Sequence, residues 1–344
     1  MQTETVKTGG ETAQLPQAVE TRNPGQPLDM DWVMSAQANR SAIERRAGTI
    51  GARRSVKKLH QAAWLLKAIS MIDLTTLAVA GREVDDIALG TAVVPIQGRH
   101  PITLALQALT AADAAGPGRL TVGLGVTHPA VSEGWFGVPY RGIVEMCAEV
   151  LEALDGLLSE ERRCEVVGDH VTARMTTPLD GPPPGTVLAA LGPRMLDLAG
   201  RATDGTITWM TGPVALGRDV VPPLCRAAED AGRPAPRVIV GIPVCVTDDP
   251  TAARERLTPM MERVATMPSY ARKVVAEGVD HPVDLVVLGD EARVAVHLGR
   301  FAEAGMTELC ANVVGTPEER QRTRAFLTSL RKPGEPTPRP PGGT

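Results

Sequence analysis

From Ile87 to Val314 the chain alternates near-continuous apolar runs with stretches of helical period. Few folds accept that pattern. A strand that is apolar on both faces must be covered on both faces, which is the environment of a parallel sheet flanked by helices. Six runs read as buried strands: 87–95, 120–126, 187–191, 206–210, 238–246 and 308–314. Between them the spacing predicts helices over 101–115, 143–158, 193–202, 216–231, 252–267 and 291–304, and an earlier one over 73–82. Pro101 stands at a first helical turn and Gly116 just past a helix end, as helix termini favour. Residues 165–173 read as a small hairpin turning at Gly168-Asp169.

Periodicity alone leaves two architectures open: an open doubly wound sheet and an eight-stranded (β/α) barrel of about 250 residues. The barrel needs two more strands, which on this reading come from residues 1–70. That stretch is different in kind. It carries ten Lys/Arg against six Asp/Glu in a chain whose net charge is −4. Residues 1–36 show no sustained period and read as a disordered arm, and 40–67 as a basic helix or leader. The tail from Pro333 is Pro/Gly-rich and also reads as disordered. The expected organisation is an atypical segment 1–70, a barrel domain 71–332 and a tail 333–344.

Composition excludes several functions. The net charge argues against a general nucleic-acid footprint, and no apolar run is long enough to span a bilayer. Cys147, Cys164, Cys225, Cys245 and Cys310 are scattered, without CxxC spacing, which reads as reduced thiols in a cytoplasmic protein. The six histidines form no HxH or HExxH, so no metal site is expected, and no Ser lies in GxSxG. Only nine residues are aromatic. The core must therefore be aliphatic, and aromatics near strand ends stand out.

In a barrel, chemistry collects where strands run into their following loops. Strand 87–95 holds Gly90-Thr91 and leads to Gly98-Arg99-His100. Strand 120–126 leads to Thr127-His128, then to Glu133, Trp135 and Phe136 in a loop. Strand 206–210 ends at Trp209. Strand 187–191 leads into Gly192-Pro193-Arg194-Met195 at a helix start. A glycine there lets a ligand approach the backbone, helix N–H groups favour phosphate, and Arg194 adds a cation. The same residues also suit an ordinary tight turn.

The segments LGTAVVPIQGRHP, ALQALTAADAAGPGRLTVGLGVTHPAVSEGWFGVPY and VLAALGPRMLDLAGRATDGTITWMTGP resemble the luciferase-like monooxygenase superfamily, coenzyme F420-dependent branch. The resemblance spans roughly residues 73–330. It implies an α/β fold, a (β/α)8 TIM-type barrel, with a homodimer and a cofactor across the C-terminal strand ends. Under it, Gly90-Thr91-Ala92 is the bulge behind the cofactor ring, a place where the superfamily often has a non-proline cis peptide. Gly125-Val126-Thr127-His128 lines the ring and tail. Gly192-Pro193-Arg194-Met195 holds the phosphate. The sequence departs from the family in lacking an apolar first strand within 1–70, so the first βαβ portion is atypical or incomplete. His128 is the candidate catalytic proton carrier, and Glu133, Trp135, Phe136 and Trp209 are the candidate substrate pocket. The expected activity is F420-dependent hydride transfer to or from a small organic substrate. FMN-dependent monooxygenation is the alternative, and a non-catalytic barrel the alternative of a different class.

Overall fold

The computed structural model describes residue 74, residues 76–84 and residues 87–330. The expectations for 1–70, for the first residue of the helix over 73–82 and for the tail from Pro333 lie outside the described residues. The chain divides into two units, Met1–Gln61 and Ala62–Thr344, and everything below belongs to the second.

Helix α1 covers 76–83. The expected strand 87–95 is interrupted: β1 is Leu89–Gly90 and β2 is Val94–Pro95, with a cis Ala92–Val93 peptide in the bulge between them. Helix α2 follows over Pro101–Ala115, then β3 over Leu120–Gly125. His100 caps α2 with its ring. Nδ1 accepts from the Ile102 N–H at 3.3 Å, so Nε2 carries the proton and donates to the Thr172 carbonyl at 3.0 Å. This histidine is structural.

A short helix α3, Pro129–Trp135, occupies what the sequence presented as a loop. Its Pro at N1 is the start signal, but seven residues are too few to show a period. Helix α4 is Ile143–Leu158. The antiparallel hairpin β4, Arg163–Val167, and β5, Thr172–Thr176, comes next. The Glu149 carboxylate on α4 holds the tip of this hairpin, accepting from the N–H groups of Asp169, His170 and Val171 at 2.7–3.0 Å.

The alternation resumes with β6 Gly185–Ala189, α5 Pro193–Ala202 and β7 Gly205–Trp209. A short α6, Pro213–Ala215, runs through a π turn over Leu216–Val220 into α7, Val221–Asp230. Then come β8 Arg237–Val246, α8 Pro250–Ala265 and α9 Pro268–Glu277. The last elements are β9 Val287–Gly289, α10 Glu291–Glu303, β10 Glu308–Val313 and α11 Pro317–Ser329.

All main-sheet pairs are parallel, in the order β1-β3-β6-β7-β8-β10, with β2 also on β3 and β9 also on β8. The sequence reading missed β9, whose three residues show no pattern. Of the two extra strands expected from 1–70, one is therefore Val287–Gly289. The sheet is a curled, TIM-like partial barrel. Among the described residues its two edges are β1/β2, which pair only with β3, and β10, which pairs only with β8.

Arg237 demonstrates the curl. Its Nε and Nη2 donate to the two Glu308 oxygens at 2.6 and 2.7 Å, and its Nη1 donates to Thr121 Oγ1 at 2.9 Å. Thr121 lies on β3, three strands from β8, which is about 14 Å in a flat sheet. One guanidinium reaches both only because the sheet curves around it. The core around this frame is aliphatic. Its largest fully buried side chains are leucines, with Met210, Ile242 and Val94, and none is aromatic. No helix among the described residues is long and apolar enough to cross a membrane.

The Arg237 clasp generates a prediction. Both side chains are largely buried, 14% and 25% exposed, so Glu308→Ala strands a guanidinium in the sheet interior. We expect a loss of roughly 1–3 kcal/mol in chemical denaturation, with Glu308→Gln losing less. Wild-type stability in Glu308→Ala contradicts the clasp.

Candidate functional site

Because the main-sheet strands are parallel, their C-terminal ends open on one side, and there the structure forms a cavity of about 350 Å³. That volume lies in the range of small-molecule and cofactor sites. Its floor comes from the bulge after β1, through Ala92 and Val93, and from Ala189, Ile207 and Gly241. Val126-Thr127-His128 leave β3 along one wall, and Trp209 closes the end of β7.

Glycine permits this construction at two crowded points. A Cβ at Gly123 would fall 2.1 Å from the Thr91 carbonyl oxygen, and one at Gly125 would fall 2.5 Å from Val93 Cγ2. The bulge and β3 are therefore packed backbone to backbone. Thr91 Oγ1 fastens them, donating to the Gly123 carbonyl at 2.9 Å. Past Trp209, Met210 is fully buried with φ 52°, a left-handed conformation uncommon for a residue with a Cβ. It turns the chain from β7 toward α6.

The polar groups are few. Thr127 N–H donates to Gln97 Oε1 at 3.0 Å. Thr127 Oγ1 and Gln97 Nε2 are both buried without a partner, which leaves hydrogen-bonding capacity beside the cavity. The His128 ring meets Tyr270 edge-on, with ring centroids 5.9 Å apart. Tyr140 and Tyr270 are the two tyrosines of the chain, and both line the cavity. Burial pushes the Tyr270 hydroxyl up, and Tyr140 adds to the shift. Burial likewise raises Tyr140 and Cys310. These groups are thus neutral at pH 7 in an apolar chamber.

The expected residues divide. Ala92, Val126, Thr127, His128, Met195 and Trp209 line the cavity. Gly90 and Thr91, with Ala92, border a second cavity at the other end of the sheet, beside Arg237. Gly125 supports the floor. Glu133, Trp135 and Phe136, expected at the substrate pocket, are not among the residues lining this cavity. Helix α3 carries them off the strand end. Glu133 Oε1 instead accepts from the Tyr140 N–H at 3.1 Å. Trp135 is 54% exposed, and the Phe136 ring stands over Gly98. Reasoning from the sequence missed Tyr140, Tyr270, Gln97 and Cys310. The rarity of tyrosine was the one available signal for the first two.

Gly192 begins α5 with φ −96° and no side-chain cap on its first turn. A Cβ there would meet nothing within 4 Å, so the approach to these N–H groups is open. Met195, in the same turn, lines the cavity. Arg194 is not free: it pairs with Glu145 in the first turn of α4. The pair is well exposed. The donor set suits a group with a flat apolar ring and an anionic tail. Apolar walls and the unpartnered Thr127 hydroxyl would suit such a ring, and the α5 start beside Arg194 would suit the anion.

The profile of the luciferase-like monooxygenase family matches residues 61–325. An F420-dependent glucose-6-phosphate dehydrogenase of Beutenbergia cavernae is 30% identical over 223 residues, covering 63% of this chain and 65% of that enzyme. A shorter match is to mouse deoxyribose-phosphate aldolase, 59% identical over 54 residues, which is 16% of this chain and 17% of the aldolase. Among solved structures, an F420-dependent secondary alcohol dehydrogenase in complex with an F420-acetone adduct superposes with a TM-score of 0.63 at 18% identity. It covers 75% of this chain and 84% of that one. At that identity the likeness is one of fold.

Two glycines of the site separate by stability. Gly241→Ala places a Cβ 2.7 Å from the Thr208 carbonyl oxygen and 2.9 Å from Trp209 Cε3. We expect it to cost about 1–3 kcal/mol in thermal or chemical unfolding. Gly192→Ala is expected to stay within about 0.5 kcal/mol of wild type. Equal behaviour of the two variants contradicts the packing described.

Proposed function

The chain belongs to the luciferase-like monooxygenase family, and on that premise we propose that it is an oxidoreductase using coenzyme F420 to transfer hydride to or from a small organic substrate. FMN is the second cofactor reading, because it shares the tricyclic ring and the phosphate. The observation that carries the proposal is the apolar cavity at the strand ends, which Met195 in the first turn of α5 helps to line. The F420 dependence of the Beutenbergia cavernae relative and of the alcohol dehydrogenase neighbour supports the first cofactor.

When bound, the deazaflavin supplies the hydride-exchanging carbon. This chain's residues do the rest. Val93, Ala189 and Ile207 give the ring an apolar bed that excludes water. Thr127 Oγ1 donates to or accepts from the polar edge of the ring. The N–H groups at the start of α5 and the Arg194 guanidinium bind the phosphate. His128 holds or releases the substrate proton at a ring nitrogen, and Tyr270 fixes the plane of that ring. Tyr140 and Trp209 wall the substrate side. The proposal also includes the barrel domain at 71–332, a cytoplasmic location and a homodimer, the last measurable by sedimentation.

Binding tests the reading. Purified full-length protein is titrated with F420 and with FMN, followed by absorbance and fluorescence. We expect saturable binding of at least one, weakened about tenfold by Arg194→Ala, which removes a charge-assisted contact. Gly192→Ala, for which near-wild-type stability is expected, is expected to weaken it too. If neither cofactor binds, the enzyme reading fails. If Arg194→Ala leaves the affinity unchanged, the phosphate assignment fails.

A further inference from the structure

The expected phosphate cation is already engaged, and its partner is an acid. Glu145 and Arg194 lie 49 residues apart and come together where the start of α4 meets the start of α5. Tyr140, just before α4, and Met195, next to Arg194, both line the cavity, so the ion pair flanks its edge. The Glu145 carboxylate is doubly satisfied. Its own backbone N–H and the Arg194 guanidinium hold it below the usual carboxylate range. It is therefore ionised near neutrality. Neighbouring groups do not replace it: Glu149 is spent on the hairpin tip, and Asp197 pairs with Arg201.

An anion at the α5 start must share Arg194 with this carboxylate or displace it. Either way, a fixed negative charge stands beside the site, and the cost rises with the charge on the phosphate group that meets it. We propose that Glu145 is a cofactor-selecting residue, disfavouring a phosphomonoester near two negative charges more than a phosphodiester with one. This inference rests on the cofactor reading above. The tail phosphate of F420 is a diester, that of FMN is a monoester, and riboflavin has none. Glu145 thus biases the site toward F420 without touching the ring.

The test uses the full chain, wild type and Glu145→Gln, titrated separately with FMN, F420 and riboflavin under one low-salt buffer. Glu145→Gln is expected to tighten F420 by about threefold, the scale of one exposed charge pair, and FMN by about tenfold, twice that effect for two charges. Riboflavin affinity is expected to stay unchanged, and Glu145→Ala to behave as Glu145→Gln does. High salt is expected to shrink the difference between FMN and F420. A gain for FMN no larger than for F420, an equal gain for riboflavin, or a weaker FMN complex overturns the proposal and leaves the cofactor reading standing. If wild type and both variants bind none of the three, the cofactor reading falls and this inference falls with it.

Discussion

The architecture depends on parallel strands that curl far enough for one side chain to reach across the inside of the sheet. Arg237 bridges β8 to Glu308 on the neighbouring β10 and to Thr121 on β3, three strands away. Parallel pairing makes the polarity of the sheet uniform, so the residues following β1, β3, β6 and β7 arrive at one end. The curl then turns that end into a chamber. The Arg237 network occupies the other end, where Gly90 and Thr91 also lie. The two ends thus divide the work: polar clasp at one, apolar cavity at the other.

Within the chamber, side-chain size is set by backbone proximity. Gly123 lies against the Thr91 carbonyl, Gly125 against Val93, and Gly241 beneath Trp209. Each allows one layer to approach another so closely that a methyl group has no room. Gly192 is the opposite case, with free space around it on the route to the α5 N–H groups. The same residue type therefore serves packing in three places and access in a fourth. Only the three-dimensional surroundings separate these uses.

Much of this was legible in the sequence. The helices α2, α4 and α5 fall on their expected residues, because long stretches with Pro at the first turn or a clear 3.6 period leave little freedom. The hairpin turn at Gly168 and the buried strands β3, β6, β7 and β8 were readable for the same reason; β10 falls where a buried strand was expected but is only half-buried, as an edge strand among the described residues. Short elements were not. Val287–Gly289 and Pro129–Trp135 are too brief to carry a period, and the second of them carries Glu133 and Trp135 on a helix where a loop was expected. Tyr270 joins the cavity from α9, 142 positions after His128, and no local pattern announces such a meeting. The Glu145–Arg194 pair was hidden in the same way: Arg194 was read as a cation for a phosphate, and no local pattern ties it to a carboxylate 49 residues earlier.

The central claim is that the chamber at the strand ends is where the cofactor ring lies. Trp209 walls that chamber and reports on it directly. Tryptophan fluorescence of the full chain is recorded during titration with F420, for wild type and for Trp209→Phe. The account predicts saturable quenching in wild type, with most of the saturable component lost in Trp209→Phe while F420 still binds by absorbance. Saturable quenching that persists undiminished in Trp209→Phe would place the ring elsewhere and contradict the account.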